Sequence, residues 1–324
     1  MSKKSIMYPN NKSGIYLYEY PVINGVKQYI QVRGVNKNNP IILFIHGGPG
    51  GSVSGIAHII QESWEDKFTV VNWDQINAGN TYIANKSIAK DIASTGNMSD
   101  FVQDVDDIIK YLHTVYDFEK IILVGFSWGS AVSAEYAKVH PENVKCVLNV
   151  GQLFNYREGI LCTCNKLLKQ IPKGTKDYTR IETIIKKFPQ KPIWNKELMS
   201  IMRYFQSIAY KYYGKNMKAV PYFKILTSPF TSLSGKIVSI IPKTALLEKA
   251  YETMITYDFR ENINFQVPMY FVFGEDDIVC PSDTLTECFD NLNAPIKELH
   301  VVKKAGHMCF YDNPEEFNKI LMSV

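Results

Sequence analysis

Cysteine and histidine are scarce in this sequence of 324 residues, with six of each. The cysteines, at positions 146, 162, 164, 280, 288 and 309, lack the two-residue spacing of zinc or redox pairs. A chain of this length does not need disulfides to fold, so we expect reduced thiols and neither a metal nor a cofactor. The six histidines leave few candidates for any role that needs an imidazole.

Long apolar runs are also missing. No stretch approaches the roughly 18 apolar residues of a membrane-spanning helix, and the first residues carry no apolar segment of a secretory signal. We therefore expect no membrane span and a cytoplasmic location. The net charge of +4 is too small to indicate a nucleic-acid partner. The composition leaves the oligomeric state open.

The charge is unevenly distributed along the chain. Residues 151–260 contain nineteen Lys and Arg against seven Asp and Glu, so the middle of the chain is compositionally distinct. If these cations line a binding site, they favour an anionic or uncharged substrate over a cationic one. The alternative is that they lie on solvated helix faces.

The first 150 residues alternate between strand and helix patterns. Two β-rich runs, 15–20 and 28–32, flank Asn24-Gly25 and predict a hairpin of edge strands. The continuous apolar run 41–45 is typical of a strand buried on both faces. Helices are predicted over 54–66 and after an N-cap at Asn97 or Ser99.

The alternation stops near residue 152 and resumes near 258. The stretch between is helical in pattern, basic and rich in tyrosine. Alternating strands and helices predict an α/β fold, with a mostly parallel central sheet covered by helices on both faces. We therefore expect a core formed by residues 1–151 and 258–324, with residues 152–257 inserted as a helical cap.

One motif dominates the sequence. Residues 121–126 form a β-branched strand that runs into Gly125-Phe126-Ser127-Trp128-Gly129, and a small-residue helix follows. This Gly-x-Ser-x-Gly context is typical of a nucleophile elbow, in which the central serine is exposed on a tight strand-to-helix turn. We interpret Ser127 as a nucleophile, and an ordinary strand-to-helix turn is the alternative.

A serine nucleophile needs a base and an acid that orients it. His307 follows the last predicted strand, at the sheet edge where such folds place their sites, and is the predicted base. His46 is an alternative by position, although it is better placed to hold the shape of its glycine-rich loop. The other histidines fall within or at the ends of predicted helices or strands: His58, His113, His140 and His300.

The acid is expected after the strand at 267–274. Asp277 lies three residues beyond Gly274, far enough to turn inward, and Asp276 is the alternative. The oxyanion formed during acyl transfer needs two donors. We expect these from the backbone N–H of Trp128 and of Gly48, with Gly47 as the neighbouring possibility.

These motifs together resemble a known family. His46-Gly47-Gly48-Pro49-Gly50-Gly51, Gly125-x-Ser127-x-Gly129, Gly274-x-x-Asp277 and Gly306-His307 resemble the α/β-hydrolase fold. The His-Gly-Gly-Pro-Gly and Ser-Trp-Gly segments resemble its proline iminopeptidase branch. The resemblance covers residues 15–150 and 260–324. It implies a serine aminopeptidase with a helical cap.

The chain departs in two features from the proline iminopeptidase branch. The branch usually continues Asp-Gln as Asp-Gln-Arg-Gly-x-Gly, whereas this chain reads Asp74-Gln75-Ile76-Asn77-Ala78-Gly79. An aminopeptidase must also bind an α-ammonium, and the family takes the carboxylates for this largely from a cap that is strongly basic here.

The sequence therefore supports a first hypothesis and two alternatives. The first is a serine hydrolase that acts on small amides or short peptides at the N-terminus through an acyl-enzyme on Ser127. The second is a carboxylesterase, lipase-like or lactone-cleaving enzyme with the same triad. The third is a non-catalytic ligand-binding protein on this fold.

Overall fold

The computed structural model describes residues 4–5, 14–88, 96–216, 218, 222–228, 230–240 and 247–324. Parts of the predicted cap lie outside these residues. The described strands are, in chain order, β1 (Lys4–Ser5), β2 (Ile15–Glu19), β3 (Val22–Ile23), β4 (Val26–Lys27), β5 (Tyr29–Gly34), β6 (Ile41–Ile45), β7 (Thr69–Asp74), β8 (Ile121–Phe126), β9 (Val144–Val150), β10 (Met269–Gly274) and β11 (Lys297–Val302).

Helices connect the strands of the parallel part of the sheet. In the described ranges they are α1 (Ala57–Ile60), α2 (Gly79–Ala84), α3 (Met98–Val115), α4 (Trp128–Val139), α5 (Tyr156–Gln170), α6 (Lys176–Lys187), α7 (Lys196–Tyr213), α8 (Tyr222–Thr227), α9 (Leu233–Ile240), α10 (Leu247–Thr256), α11 (Asp283–Phe289), α12 (Cys309–Asp312) and α13 (Pro314–Leu321). The helix predicted near Asn97 is α3, and Asn97 caps it.

The central sheet has the order β1-β2-β5-β7-β6-β8-β9-β10-β11. Strands β7, β6, β8, β9, β10 and β11 run parallel, and β1, β2 and β5 are antiparallel additions at one side. The predicted mostly parallel sheet is therefore confirmed. All parallel strands end at the same edge, which brings the loops after β6, β8, β10 and β11 together.

Both faces of the sheet are covered. Along β6, Ile41, Leu43 and Ile45 belong to one apolar cluster, and Ile42 and Phe44 belong to the other. Successive side chains of a strand point to opposite faces, so a continuous apolar run fits a strand with helices on both sides. The same alternation holds in β8.

The predicted hairpin is confirmed in its pairing, because β2 and β5 lie antiparallel to each other and the Asn24-Gly25 turn, with φ of 49° and 79°, closes the β3–β4 ribbon between them. The prediction that both are edge strands is wrong. Strand β5 is an interior strand, buried along its whole length between β2 and β7. Its charged residue Arg33 is buried in an ion pair with Glu65.

The helix predicted over 54–66 is also interrupted. Only α1 is α-helical, and a 3₁₀ turn follows at Glu62–Trp64. Gln61 leaves the helical conformation, with φ of −122°, and its buried side-chain amide exchanges hydrogen bonds of 2.8 and 3.1 Å with that of Asn72. The amide pair therefore coincides with the break.

Candidate active site

Ser127 lies on a strained turn between β8 and α4. Its φ of 55° and ψ of −120° are rare for a residue with a side chain, as expected for a nucleophile elbow. Its backbone N–H donates to the carbonyl of Val150 at the end of β9 (2.9 Å). The turn therefore sits directly on the carboxyl edge of the sheet.

The flanking glycines are required by space. A Cβ on Gly125 would lie 2.2 Å from Ser133 Oγ, and one on Gly129 would lie 2.0 Å from the carbonyl oxygen of Ile45. No side chain fits at these distances. The Gly-x-Ser-x-Gly spacing thus reflects close contact of the turn with β6 and α4.

Asp277 and His307 form a hydrogen-bonded pair at the same edge. His307 Nδ1 lies 2.8 Å from Asp277 Oδ2. The other carboxylate oxygen accepts from the backbone N–H groups of Val279 and Cys280, both at 2.8 Å. Asp277 is buried, and these bonds satisfy its charge and fix the imidazole orientation.

The loop that carries His307 packs beside the Ser127 turn. The His307 ring lies 4.8 Å, centroid to centroid, from the ring of Phe126, the residue before Ser127. A Cβ on Gly151 would lie 2.9 Å from His307 Cε1. Because Ser127 N–H bonds to Val150, the nucleophile and the imidazole both contact the end of β9.

The alternative acid, Asp276, has another environment. Its backbone N–H donates to the carbonyl of Ala305 (2.9 Å), while the carboxylate bonded to His307 Nδ1 is that of Asp277. Their positions in the sequence did not show which of these two adjacent aspartates bonds to His307. The direction of the turn after Gly274 decides which carboxylate reaches the imidazole.

Gly48 and Trp128 line the same cavity as Ser127. Trp128 is the first residue of α4, so its N–H has no acceptor within the helix and is available to an anion. Gly48 has a φ of 121°, and a Cβ there would lie 2.5 Å from the backbone nitrogens of Gly50 and Gly51. Of the two predicted donors, Trp128 follows Ser127 directly in the chain, and Gly48 lines the same cavity.

His46 holds the glycine loop in place. Its Nε2 accepts from the Gln75 backbone N–H (3.1 Å), and its Nδ1 lies 2.8 Å from the Gly47 carbonyl. The Gln75 side chain donates to the His46 carbonyl and accepts from Trp128 Nε1. Burial lowers the pKa of His46 to about 4, so the ring is neutral at pH 7. This arrangement fits the predicted loop-shaping role rather than that of a base.

The segment after β7 attaches the helical region, defined as residues 152–257, to the core. Asn80 donates to Asp74 through its backbone N–H (2.8 Å), and its side chain bonds with Thr231 (2.8 and 3.0 Å) and Ser232 (3.1 Å). Burial raises the pKa of Asp74 to about 6, although Ser52 and Ser54 also donate to it. Asn80 lies just after Ile76 and Asn77, the residues at which the chain departs from the Asp-Gln-Arg-Gly-x-Gly pattern of the proline iminopeptidase branch.

Several site residues were not predicted. The Cys280 thiol is within hydrogen-bonding distance of the Ser127 side chain, and burial raises its pKa well above the usual value. Gly151 makes room for the imidazole, and Asp312 accepts from the backbone N–H of Gly306 (2.9 Å). Gly151 could have been predicted as a site residue from its position directly after a strand. The sequence around Cys280 and Asp312 shows no comparable pattern.

The cavity above Ser127 has a volume of about 280 Å³ and lies between the core and the helical region. Its wall is largely apolar and includes the stacked rings of Trp194 and Tyr251, 4.1 Å apart. Among the described residues that line it, Arg203 is charged and no carboxylate is present. The described lining includes Leu153, Phe154, Tyr156, Ile160, Met199, Met202, Phe205, Met254 and Ile278.

The structure shows no helix, among its described residues, that is long and apolar enough to cross a membrane. In the same residues, no group of three or more His, Cys, Asp or Glu side chains has an arrangement suited to a metal ion.

A family model for the α/β-hydrolase fold matches residues 40–161. The chain is 24% identical over 326 residues to a probable aminopeptidase, YbaC, of Bacillus subtilis, covering 97% of this chain and 98% of that protein. It is 26% identical to a putative proline iminopeptidase of Mycoplasma pneumoniae, covering 88% and 89%.

Solved structures show the same architecture. A proline iminopeptidase of Mycobacterium smegmatis matches with a TM-score of 0.63 and 16% identity, over 99% of this chain and 97% of the other. An esterase of Exiguobacterium antarcticum matches with a TM-score of 0.60 and 18% identity, over 94% and 98%.

These findings confirm the predicted α/β-hydrolase fold. More particularly, the chain is similar in sequence, over 97% and 88% of its length, to relatives named as a probable aminopeptidase and a putative proline iminopeptidase.

Proposed function

We propose that this protein is a serine hydrolase that cleaves small amides or short peptides at the N-terminus. The observation that carries the proposal is the Asp277–His307 hydrogen bond at the edge where Ser127 occupies its strained turn. Similarity to named aminopeptidases over nearly the whole chain supports the N-terminal preference.

In the proposed reaction, His307 removes the Ser127 proton and the oxygen attacks the substrate carbonyl. The N–H groups of Gly48 and Trp128 stabilise the oxyanion, and His307 then protonates the leaving amine. Water, activated by the same imidazole, releases the acyl group from Ser127. Asp277 holds the ring in the tautomer that this cycle needs. The helical region, residues 152–257, acts as the cap over the cavity.

A second candidate is an esterase or lactone hydrolase with the same triad. One observation favours it: the described lining of the cavity contains no carboxylate that could bind an α-ammonium. An apolar wall with a single cation suits an uncharged or anionic acyl substrate. The two candidates share the chemistry and differ in what the cavity recognises.

A labelling experiment tests the shared chemistry. A fluorophosphonate should modify the wild-type protein at Ser127 and leave Ser127→Ala unmodified. An unlabelled wild type would instead favour a ligand-binding protein.

A substrate pair separates peptidase from esterase. An aminopeptidase should cleave alanine or proline naphthylamide. N-acetylation of the substrate should remove most of that cleavage rate. Cleavage that persists after acetylation would contradict the aminopeptidase assignment. Turnover of esters in the absence of any naphthylamide cleavage would favour the second candidate.

A further inference from the structure

The charged residue of the cavity wall is an arginine on α7. Met199, Met202, Arg203 and Gln206 all line the cavity. They are spaced i, i+3, i+4 and i+7, so they form one face of the helix directed towards the site. Arg203 is exposed, so the part of the largely apolar cavity wall that it forms is accessible to solvent.

Arg203 also differs from the other arginines of the chain. It has no hydrogen-bond, ion-pair or ring partner within the described ranges. Each of the others has one: Arg33 pairs with Glu65, Arg157 donates to the Pro189 carbonyl, Arg180 lies over the Tyr204 ring, and Arg260 bonds to Asp258 and Glu158.

Many other cations of the helical region lie on solvated faces, within the part of it that the structure describes. Many of its lysines are exposed and outside the described lining of the cavity: Lys169, Lys173, Lys176, Lys186, Lys187, Lys191, Lys196, Lys211 and Lys215. The anion preference suggested by the overall charge is therefore concentrated in one guanidinium, which can bind a carboxylate through two parallel hydrogen bonds.

We infer that Arg203 binds a carboxylate on the leaving-group part of the substrate, as in a short peptide with a free C-terminus. The inference rests on the proposed function. A substrate cleaved after its first residue places that residue against Ser127, and the remainder of the substrate extends away from the nucleophile towards solvent. Arg203 lines the same cavity and is exposed to solvent, so its guanidinium is available to that remainder.

Two chromogenic substrates test this inference: alanine 4-nitroanilide and alanine 3-carboxy-4-nitroanilide. The wild type should cleave the carboxylated anilide with a kcat/KM about tenfold higher, the effect of one charge-assisted contact. Arg203→Gln should bring the ratio of the two values close to one, and Arg203→Lys should retain part of it. Arg180→Gln, which removes an arginine outside the described lining, should leave the ratio unchanged.

Equal kcat/KM values in the wild type, or a preference that survives Arg203→Gln, would overturn the inference. If the wild type cleaves neither anilide, the proposed function fails and a binding measurement decides the role of Arg203. In that case 3-phenylpropanoate should protect Ser127 from the fluorophosphonate better than 3-phenylpropanamide does. Arg203→Gln should abolish the difference, and equal protection by both ligands in the wild type would contradict the role of Arg203.

Discussion

The sheet core and the helical region are built differently. Strand β8 buries every residue, and the turn that follows it tolerates no added atom at Gly125 or Gly129. Helix α6 buries only Ile181 and Ile184 among its twelve residues. The groups proposed for bond cleavage come from the core, and the groups that meet the rest of the substrate come largely from the helical region. Substitutions in the two regions should therefore affect different quantities.

The largest effect should come from the core carboxylate. Asp277→Asn keeps the shape of the side chain but no longer favours the required imidazole tautomer, so kcat should fall by about 10⁴. Asp276→Asn, the adjacent control, should change kcat less than threefold, as measured by steady-state kinetics on the same substrate. Equal losses in the two variants would contradict the assignment of the acid.

A methyl group added to a glycine should have opposite effects in the two regions. Gly129→Ala places a Cβ 2.0 Å from the Ile45 carbonyl oxygen, so we expect a loss of about 3 kcal/mol or more in the free energy of unfolding. Gly159→Ala, inside α5, meets the Val279 carbonyl only at 3.7 Å and should stabilise the protein by about 0.5–1 kcal/mol. Urea titration measures both, and similar losses would contradict the contrast.

Asp312 links the two regions through the loop of His307. Its carboxylate accepts from the backbone N–H of Gly306 (2.9 Å) and from that of Lys218 in the helical region (2.7 Å). Asp312→Asn replaces one of these two accepting oxygens with an N–H donor, so we expect the loop to shift and kcat to fall about ten- to hundredfold with little change in KM.

Glu315→Gln is the matched control for Asp312, because Glu315 is exposed and pairs only with Lys319 in the described contacts. It should leave both kinetic constants near the wild-type values. A rise in KM without a fall in kcat for Asp312→Asn would show that the carboxylate does not position the imidazole.

A smaller effect is expected from acidification of the glycine loop. Burial lowers the pKa of His46 to about 4 in the folded protein, from 6.5 in the unfolded chain. Between these values the unfolded chain binds the extra proton, so this residue makes the free energy of unfolding decrease as the pH falls, by about 1.4 kcal/mol per unit.

The comparison with His46→Gln isolates this contribution from that of other buried groups. The difference between the two proteins in free energy of unfolding should change by about 1.2 kcal/mol between pH 6 and pH 5. Urea titration at both pH values measures it. Identical pH dependences would indicate that His46 is not held neutral in the folded protein.

The sequence was informative where local chemistry and long-range geometry agree. A continuous apolar run such as residues 41–45 has few uses other than a doubly covered strand, and the residues around Ser127 define both a turn and its chemistry. Asp277 and His307 could be proposed because parallel strands end at one edge. The fold of the core was predictable for the same reason.

Other features depend on partners that are distant in sequence. Strand β5 lies inside the sheet, where its Arg33 pairs with the buried Glu65. The helix near residue 60 breaks where Gln61 pairs with Asn72. The hydrophobic periodicity of those segments does not predict such contacts. Arg203 appeared in the sequence as one of nineteen cations, and only the direction of its helix face separates it from the others.

The attachment at Asn80 has a consequence for solution conditions. This amide joins the buried Asp74 to Thr231 and Ser232, and its bonds to these two residues of the helical region are between uncharged side chains. Mobile ions screen exposed charges but hardly reach contacts of this kind. A concentrated electrolyte should therefore weaken the attraction of an anion to Arg203, while the hydrogen bonds between Asn80 and the helical region remain.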